Sequence, residues 1–336
     1  MRSTVICLVL TVLLFCCFIA VLFTGNTRIP LPEIVKILFT GQSAVDEWIT
    51  IVREFRLPKA ITAIFAGMAL SVSGLQMQAV FRNPLAGPYV LGISAGASLG
   101  VAFVIMGTGH LSGAVGNWLI AFASFVGASI VLLLIFAVSL RIKDVMTILI
   151  LGLMFGSIIS SFIGILQYFS NESLLKNFTI WTMGSLKGVS LEQLKVLVPC
   201  VLCGLFASLF SVKSLNVMIL GENYARSLGV NVVATRLLIF FSAGILAGSV
   251  TAFCGPIGFV GIVVPHICRI LFRTADQRIL LAGCIIVGGI VMSASDLISL
   301  LPGDGVVLPV NSVTAFIGIP FVIWIVVRNQ KINSLM

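Results

Sequence analysis

The chain has 336 residues, of which 59% are hydrophobic and 9% are charged. Soluble globular domains carry roughly 25% charged residues, so the composition excludes an ordinary soluble protein. The formal net charge of +9 is compatible with nucleic-acid binding, but the positions of the charges, described below, argue against that class.

Ten apolar segments are suited to cross a bilayer as helices, for which about 20 residues are needed. The first contains an apolar run from Val5 to Phe23, which is longer than the roughly 7–15-residue core of a cleaved signal peptide. We therefore expect this first segment to remain as a span. The eighth is short and needs neighbours to cover its ends. In chain order the predicted spans are 4–24, 58–80, 89–107, 115–139, 145–169, 191–211, 234–253, 257–272, 279–300 and 307–328.

The positive charges fall mainly on one predicted side of the membrane. With a cytoplasmic N-terminus, the inner segments hold twelve of the 20 Lys and Arg residues and three of the 11 acidic residues. The outer segments then hold eight of each kind, so the whole net charge lies inside, as the positive-inside rule predicts. We expect a multi-pass protein of the cytoplasmic membrane, with both termini in the cytoplasm and no nucleic-acid partner.

The sequence lacks motifs for catalysis or for metal binding. It contains no G-x-x-x-x-G-K-[ST] phosphate loop, and His110 and His266 have no H-E-x-x-H context. Asp296 and Asp304 lie near the same outer end, so a polar turn explains Asp304 better than an intramembrane protease does. The eight cysteines lie in or beside spans and are interpreted as small hydrophobic residues. We predict no catalytic residue, no metal site and no cofactor bound by this chain.

Breaks and small residues mark the ends and faces of several spans. Asn83 and Pro84 lie in the Pro- and Gly-rich turn between the second and third spans, and Gly255 and Pro256 form a similar break after the seventh. Non-helical backbone at membrane depth is tolerated where it is buried in protein or lines a cavity. These breaks are therefore candidate pathway walls or hinges, although tight turns explain them nearly as well.

Glycines at a spacing of four form a second pattern. Gly92 and Gly96, followed by Gly100, line one face of the third span. Faces of this kind allow helix backbones to approach closely in lipid. We interpret most of these glycines as packing residues and keep Gly92 and Gly96 as candidate pathway or hinge positions.

A polar segment, GENYARSLGVNVVATR at 221–236, interrupts the apolar chain after the sixth span. Gly221 and Gly229 bracket a predicted short helix on which Glu222 and Arg226 are four residues apart and can pair. A second short helix is expected to begin beyond Gly229, toward Arg236. A solvated loop is the alternative, but the length and pattern of residues 212–233 favour a helical docking element for a cytoplasmic protein.

The sequence resembles the membrane permease subunits of ABC importers for iron–siderophores, haem and cobalamin, the large ten-span type. The resemblance covers nearly the whole length and identifies one permease domain, residues 1–336, with an all-α bundle of about ten transmembrane helices and short cytoplasmic coupling helices. The matching stretches are RLPK with AGMALSVSG (56–59 and 66–74), RNPLA to LGISAGA (82–97), residues 221–229, WTMGSL (181–186), and GPIGFVG to PHICR (255–269).

The resemblance implies roles for several residues and partners. It implies that ATP and magnesium bind to a separate cytoplasmic subunit, which this chain contacts through Gly221, Glu222, Ala225, Arg226, Leu228 and Gly229. It also implies docking of an extracytoplasmic substrate-binding protein, for which Arg53, Arg56 and Lys59 are the candidates; lipid-headgroup anchoring is the alternative for these cations. Pro265 and His266 join the pathway or hinge candidates. A permease homodimer in the bilayer completes the implied assembly.

Two departures from the family pattern lie near the outer side. The chain reads VLPVN at 307–311, where relatives often have an acid first and glycine last, and Ser299 replaces a common arginine. The sequence leaves the chelate undetermined, with iron–siderophore as the default from the family's commonest use. The alternative function is an ion-coupled secondary transporter, although the sequence shows no row of intramembrane acids.

Overall fold

The computed structural model describes residues 2–25, 27–43, 45–107, 114–142, 144–303 and 306–333. Two residues discussed above, His110 and Asp304, lie outside these ranges. Across the described part of the chain the regular structure is entirely helical, which confirms the predicted all-α fold.

The helices follow one another with short connections. They are α1 (Arg2–Phe23), α2 (Leu31–Thr40), α3 (Asp46–Thr50), a π-helical turn (Ile51–Arg56), α4 (Leu57–Phe81), a 3₁₀ turn (Pro88–Leu91), α5 (Ile93–Gly107), α6 (Ala114–Arg141), α7 (Val145–Tyr168), α8 (Glu172–Thr182), α9 (Leu191–Met218), α10 (Glu222–Ser227), α11 (Val232–Cys254), α12 (Val260–Phe272), α13 (Gln277–Ser299) and α14 (Val310–Asn333).

The ten predicted spans correspond to ten of these helices. Seven of them, α1, α4, α6, α7, α9, α11 and α13, are long and apolar enough to cross a membrane, and α5, α12 and α14 are shorter apolar helices. The largest difference is at the end of α9, which continues to Met218 rather than stopping near 211. The third span starts at Ile93 because the 3₁₀ turn before it ends at Gly92 in the left-handed conformation.

Helices α2, α3 and α8 were not predicted. They lie between spans, have only 10, 5 and 11 residues, and mix apolar with polar positions. Such short amphipathic segments give no spanning signal, and their helical form depends on packing against the bundle rather than on length.

Helix α4 is the centre of the bundle and is buried along most of its length. Its glycines bring other backbones into contact: a Cβ at Gly67 would lie 2.1 Å from the Gly288 oxygen of α13, and one at Gly74 would lie 1.8 Å from the Gly261 oxygen of α12. On the other side of the bundle, a Cβ at Gly96 would lie 2.5 Å from the Gly127 oxygen of α6. The close packing predicted for the glycine face of the third span is therefore confirmed at Gly96.

Contacts between helix ends define two sides of the bundle. On one side the end of α4 meets the end of α9, and α10 meets the start of α11. On the other side the start of α4 meets the end of α13. We call these sides inner and outer, following the charge distribution of the sequence.

Candidate functional site

The short inner helix α10 is shaped by the glycines on either side of it. Gly221 has φ +132° and Gly229 has φ +80°, values that residues with a side chain rarely adopt. The chain closes behind the helix through a hydrogen bond from the Val230 amide to the Ala225 oxygen, 3.0 Å long. The Asn231 side chain then accepts a hydrogen bond from the Ala234 amide and caps α11.

One face of α10 is held against the bundle. Ala225 is fully buried beside Met218 and Val232. Glu222 forms an ion pair with Arg236 of α11, whose side chain is 3% exposed. The expected pairing of Glu222 with Arg226 is therefore wrong, because the buried guanidinium of Arg236 requires a charged partner more than the exposed Arg226 does.

The opposite face of α10 is open. Tyr224 and Leu228 are 52% and 57% exposed, and Arg226 is exposed between them. The second short helix expected beyond Gly229 is absent as a separate element, because α11 runs without a break from Val232 to Cys254. The predicted docking segment thus consists of α10 and the first turn of α11.

The end of α9, just before α10, is bonded to two other helices. Arg82, at the end of α4, donates a hydrogen bond of 3.1 Å to the Met218 oxygen. The Asn216 amide group donates to Asp276 and its oxygen accepts from the Gln277 amide, both at 2.8 Å. The backbone N–H of Arg278, together with this bond from Asn216, lowers the pKa of Asp276 and keeps the carboxylate charged. The inner ends of α4 and α13 are therefore both bonded to the end of α9, where Met218 packs against Ala225 of α10.

The inner turn after α4 contacts α12 through two of the predicted hinge residues. His266, a buried residue of α12, places its Nε2 atom 2.8 Å from the Pro84 oxygen. Asn83 accepts a hydrogen bond of 2.9 Å from the Leu85 amide and shapes the turn. Pro265 is buried within α12, next to His266. The structure thus brings Pro84 and His266 together, with Pro265 preceding His266 in α12.

The glycines proposed as pathway or hinge positions in the third span lie in helix contacts. Gly92 has φ +76°, and a Cβ there would lie 3.0 Å from the Gly152 oxygen of α7. Gly96 packs on α6, as described above. Both positions therefore set the distance between neighbouring helices.

The break after α11 is a closely packed junction at the outer side. Gly255 has φ +73°, and a Cβ there would lie 2.4 Å from the Trp181 oxygen. The Tyr89 hydroxyl accepts from the Ile257 amide at 3.3 Å, next to the half-buried Pro256. Asn311 of α14 accepts from the Gly258 amide at 2.9 Å.

The sequence pointed to Asn311 only as a departure from the family pattern and gave no indication that Tyr89 contacts the Gly255 junction. In the structure the backbone N–H of Asn311 also donates to the Met183 oxygen at 3.2 Å, so this residue joins α14 to the end of α8 as well as to the Gly255 junction. The unusual residue is therefore a structural bridge. In the sequence, the only indication of this bridge was that position 311 holds asparagine where relatives often have glycine.

Two of the three predicted outer docking cations are buried. Lys59 forms an ion pair of 2.8 Å with Asp296, and the two side chains are 7% and 1% exposed. Arg56, which is 4% exposed, donates hydrogen bonds to the backbone oxygens of Leu22, Phe23 and Thr27. The docking expectation for Arg56 and Lys59 is corrected, because their charges are used inside the chain.

Arg53 is the exposed member of that group, and Lys187 is a cation that sequence reasoning missed. Lys187 follows α8 and, with Arg56 and Lys59, lines an outer cavity of about 260 Å³. Partial burial lowers the pKa of Lys187, and repulsion from the charge of Lys59 lowers it further. Its position between α8 and α9 became apparent only when the fold placed it beside the start of α4.

Among the described residues no group of three or more His, Cys, Asp or Glu side chains is arranged to hold a metal ion. The arrangement offers close helix packing, buried polar bridges and a short inner helix with one exposed face. These features are typical of a polytopic helical membrane protein.

Comparison with known proteins agrees with this class. Residues 12–328 match the FecCD transport family, and the chain belongs to that family. It is 34% identical over 300 residues to the vitamin B12 import system permease protein BtuC of Citrobacter koseri, covering 86% of this chain and 89% of the relative. The BtuC protein of Salmonella typhi is also 34% identical, over 279 residues, with 83% of this chain and 84% of that protein covered.

The fold has a solved counterpart. A metal-chelate type ABC transporter in an inward-facing conformation superposes with a TM-score of 0.84 at 27% identity, covering 96% of this chain and 99% of the other. The chain is thus a multi-pass inner-membrane permease of the ABC importer class.

Proposed function

We propose that this chain imports a metal chelate by alternating access, driven by a separate ATP-binding subunit that docks on α10. The observation that carries the coupling step is the structure of α10 itself. Its buried face is fixed to α11 through Glu222 and Arg236, and its open face presents Tyr224, Arg226 and Leu228. An exposed aromatic, a cation and an aliphatic residue on a fixed helix form a suitable anchor for a protein partner.

The connections of α9 explain how movement of the partner reaches the pathway. A displacement of α10 acts on the end of α9, which is bonded to Arg82 of α4 and to Asp276 at the start of α13. Helices α4 and α13 are in backbone contact at Gly67 and Gly288 and are joined at their outer ends by Lys59 and Asp296. These contacts support the proposal that motion at the inner face reaches the outer side along this pair of helices.

Cobalamin is the first cargo candidate and replaces the default of iron–siderophore. The relatives that share 34% of the sequence over most of the chain carry vitamin B12 import in their names. The solved counterpart is described more generally as a metal-chelate type transporter, which keeps ferric siderophores as the second candidate. An ion-coupled secondary transporter is disfavoured by membership in the FecCD transport family.

At the outer side we propose docking of a substrate-binding protein through Arg53 and Lys187. Both are exposed cations near the start of α4. Complementary acidic residues on the binding protein would speed and orient the encounter. Two permease copies with two ATP-binding subunits, and both termini in the cytoplasm, complete the proposed assembly.

Uptake assays test the cargo. Cells with the gene deleted are compared with cells in which it is restored, using radiolabelled cyanocobalamin and separately ⁵⁵Fe bound to siderophores. Loss of cobalamin uptake on deletion, with iron uptake unchanged, supports the first candidate. Loss of iron uptake alone assigns a siderophore, and unchanged uptake of both contradicts the proposed cargo class.

A further inference from the structure

Helix α2 has two apolar faces, and the described part of the chain covers one of them. It follows α1 and lies on the outer side, between the end of α1 and the π-helical turn before α4. Ile34 and Ile37 are fully buried against Val52. A second row on the same helix, Leu31, Val35 and Phe39, is 56%, 46% and 85% exposed.

The exposed row forms one stripe along the helix. Leu31, Val35 and Phe39 are spaced by four residues, so their side chains lie above one another on a single face. Lys36 is exposed beside this stripe, and Arg28 is exposed just before the helix begins. A short helix with an apolar stripe flanked by cations has the pattern of a helix that lies in the plane of a membrane interface.

The packing of α2 gives its depth relative to the first span. Leu38 packs with Phe18 of α1 onto the cluster that contains Val21 and Leu22. Helix α2 therefore lies beside the last turns of α1 rather than beyond its end.

Helix α1 is itself open to lipid over most of its surface, since only 11% of the residues in its most apolar 18-residue stretch are buried. Exposed residues of α1 include Leu8, Val12 and Phe15, at 65%, 56% and 62%. The stripe of α2 continues this lipid-facing surface at its outer end.

We propose that α2 is an interfacial helix seated in the outer leaflet, with its stripe against phospholipid acyl chains and with Arg28 and Lys36 near anionic phosphates. Its buried face fixes the π-helical turn through Val52, and Arg53 donates a hydrogen bond of 3.4 Å to the Ile37 oxygen. The bilayer surface thereby fixes the depth in the membrane at which α4, the central helix, begins. This proposal depends on membrane residence and is independent of the cargo and of the ATP-binding partner.

Site-specific photo-crosslinking in native membranes tests the proposal. Benzoylphenylalanine is placed at Phe39, at Thr40 on the adjoining face of the same helix, and at Phe15 of α1 as a lipid-facing reference. The lipids carry alkynyl acyl chains. After purification of the protein, a fluorophore is attached to the alkyne, so that only protein crosslinked to lipid is labelled. Phe39 and Phe15 are conservative positions for this aromatic residue, and all three are exposed.

We expect lipid labelling at Phe39 comparable to that at Phe15 and on the order of tenfold above that at Thr40, because an interfacial helix buries only its apolar face. Equal labelling at Phe39 and Thr40 would overturn the proposal. So would a protein adduct at Phe39 in place of lipid, whether with a second copy of the chain or with a binding protein. Labelling at Phe15 without labelling at Phe39 would also overturn it.

Discussion

Glu222 at the start of α10 and Arg236 in the second turn of α11 form an ion pair across the turn that separates the two helices. Because Arg236 is buried, the pair anchors α10 and determines which of its faces points away from the bundle. Arg226, which is four residues from Glu222 and was the partner predicted from the sequence, lies on the open face.

Neutralising this pair is expected to loosen α10 without removing its exposed face. Glu222→Gln leaves a buried guanidinium short of its charged partner, at a cost of about 1–3 kcal/mol. We expect a marked loss of ATP-driven uptake in proteoliposomes with the chain still present in the membrane. The exchange Glu222→Arg with Arg236→Glu should restore part of the activity. Full activity of Glu222→Gln would contradict a positioning role.

Breaking the pair of Lys59 and Asp296 is expected to destabilise the outer end of the bundle. Removing one member of a buried ion pair costs about 3–5 kcal/mol, whereas replacing both by apolar residues of similar size is often neutral. Lys59→Met should therefore lower the thermal unfolding temperature in detergent. The double variant Lys59→Met, Asp296→Leu should recover most of the loss. An equal loss in both variants would show that the charges themselves are needed.

The contact between α4 and α12 is expected to tolerate no side chain at Gly74. A Cβ there would lie 1.8 Å from the Gly261 oxygen, whereas a Cβ at Gly164 on the exposed face of α7 meets nothing within 4 Å. Overpacking in a close contact costs about 1–3 kcal/mol or more, so Gly74→Ala should lower the unfolding temperature. Gly164→Ala is the matched control and should be neutral. Equal effects of the two variants would contradict the observed packing.

Docking at the outer face is expected to depend on the exposed cations. Lys187→Glu and Arg53→Glu should weaken capture of the binding protein, and more strongly at low salt, since exposed charges act mainly through screened attraction. Arg56→Gln should instead reduce stability at every salt concentration, because it removes hydrogen bonds to three backbone oxygens. Surface plasmon resonance on reconstituted permease measures the affinity. An affinity of the Lys187→Glu variant equal to that of the native chain at low salt would exclude this surface.

The spans were predictable because the membrane imposes a length and an apolar composition that the sequence displays directly. Helix α10 was predictable for a local reason, since Gly221 and Gly229 enclose a polar stretch. Helix α2 was not, because its 10 residues give no spanning signal and its fold depends on packing against α1 and α4.

Long-range pairing limited the prediction of the sites. Lys59 and Asp296 are far apart in the chain, and only the packing of α4 on α13 shows that they meet. Arg56 and Lys59 follow a pattern typical of docking residues, yet burial assigns their charges to internal contacts. Lys187 was overlooked because it lies alone in a loop, and its cationic neighbours are residues of another helix.

The central claim is that an ATP-binding subunit docks on the open face of α10. It is tested most directly by purifying the tagged chain from its native membranes in mild detergent and identifying the copurifying proteins by mass spectrometry. The variant Arg226→Glu, Leu228→Asp changes two exposed residues, one in α10 and one at its C-cap, and Lys187→Glu on the outer side is its control. We predict an ATP-binding subunit that accompanies the native chain and the control but is lost from the α10 variant. Recovery of an intact chain without any ATP-binding subunit, or retention of that subunit by the α10 variant, would contradict the claim.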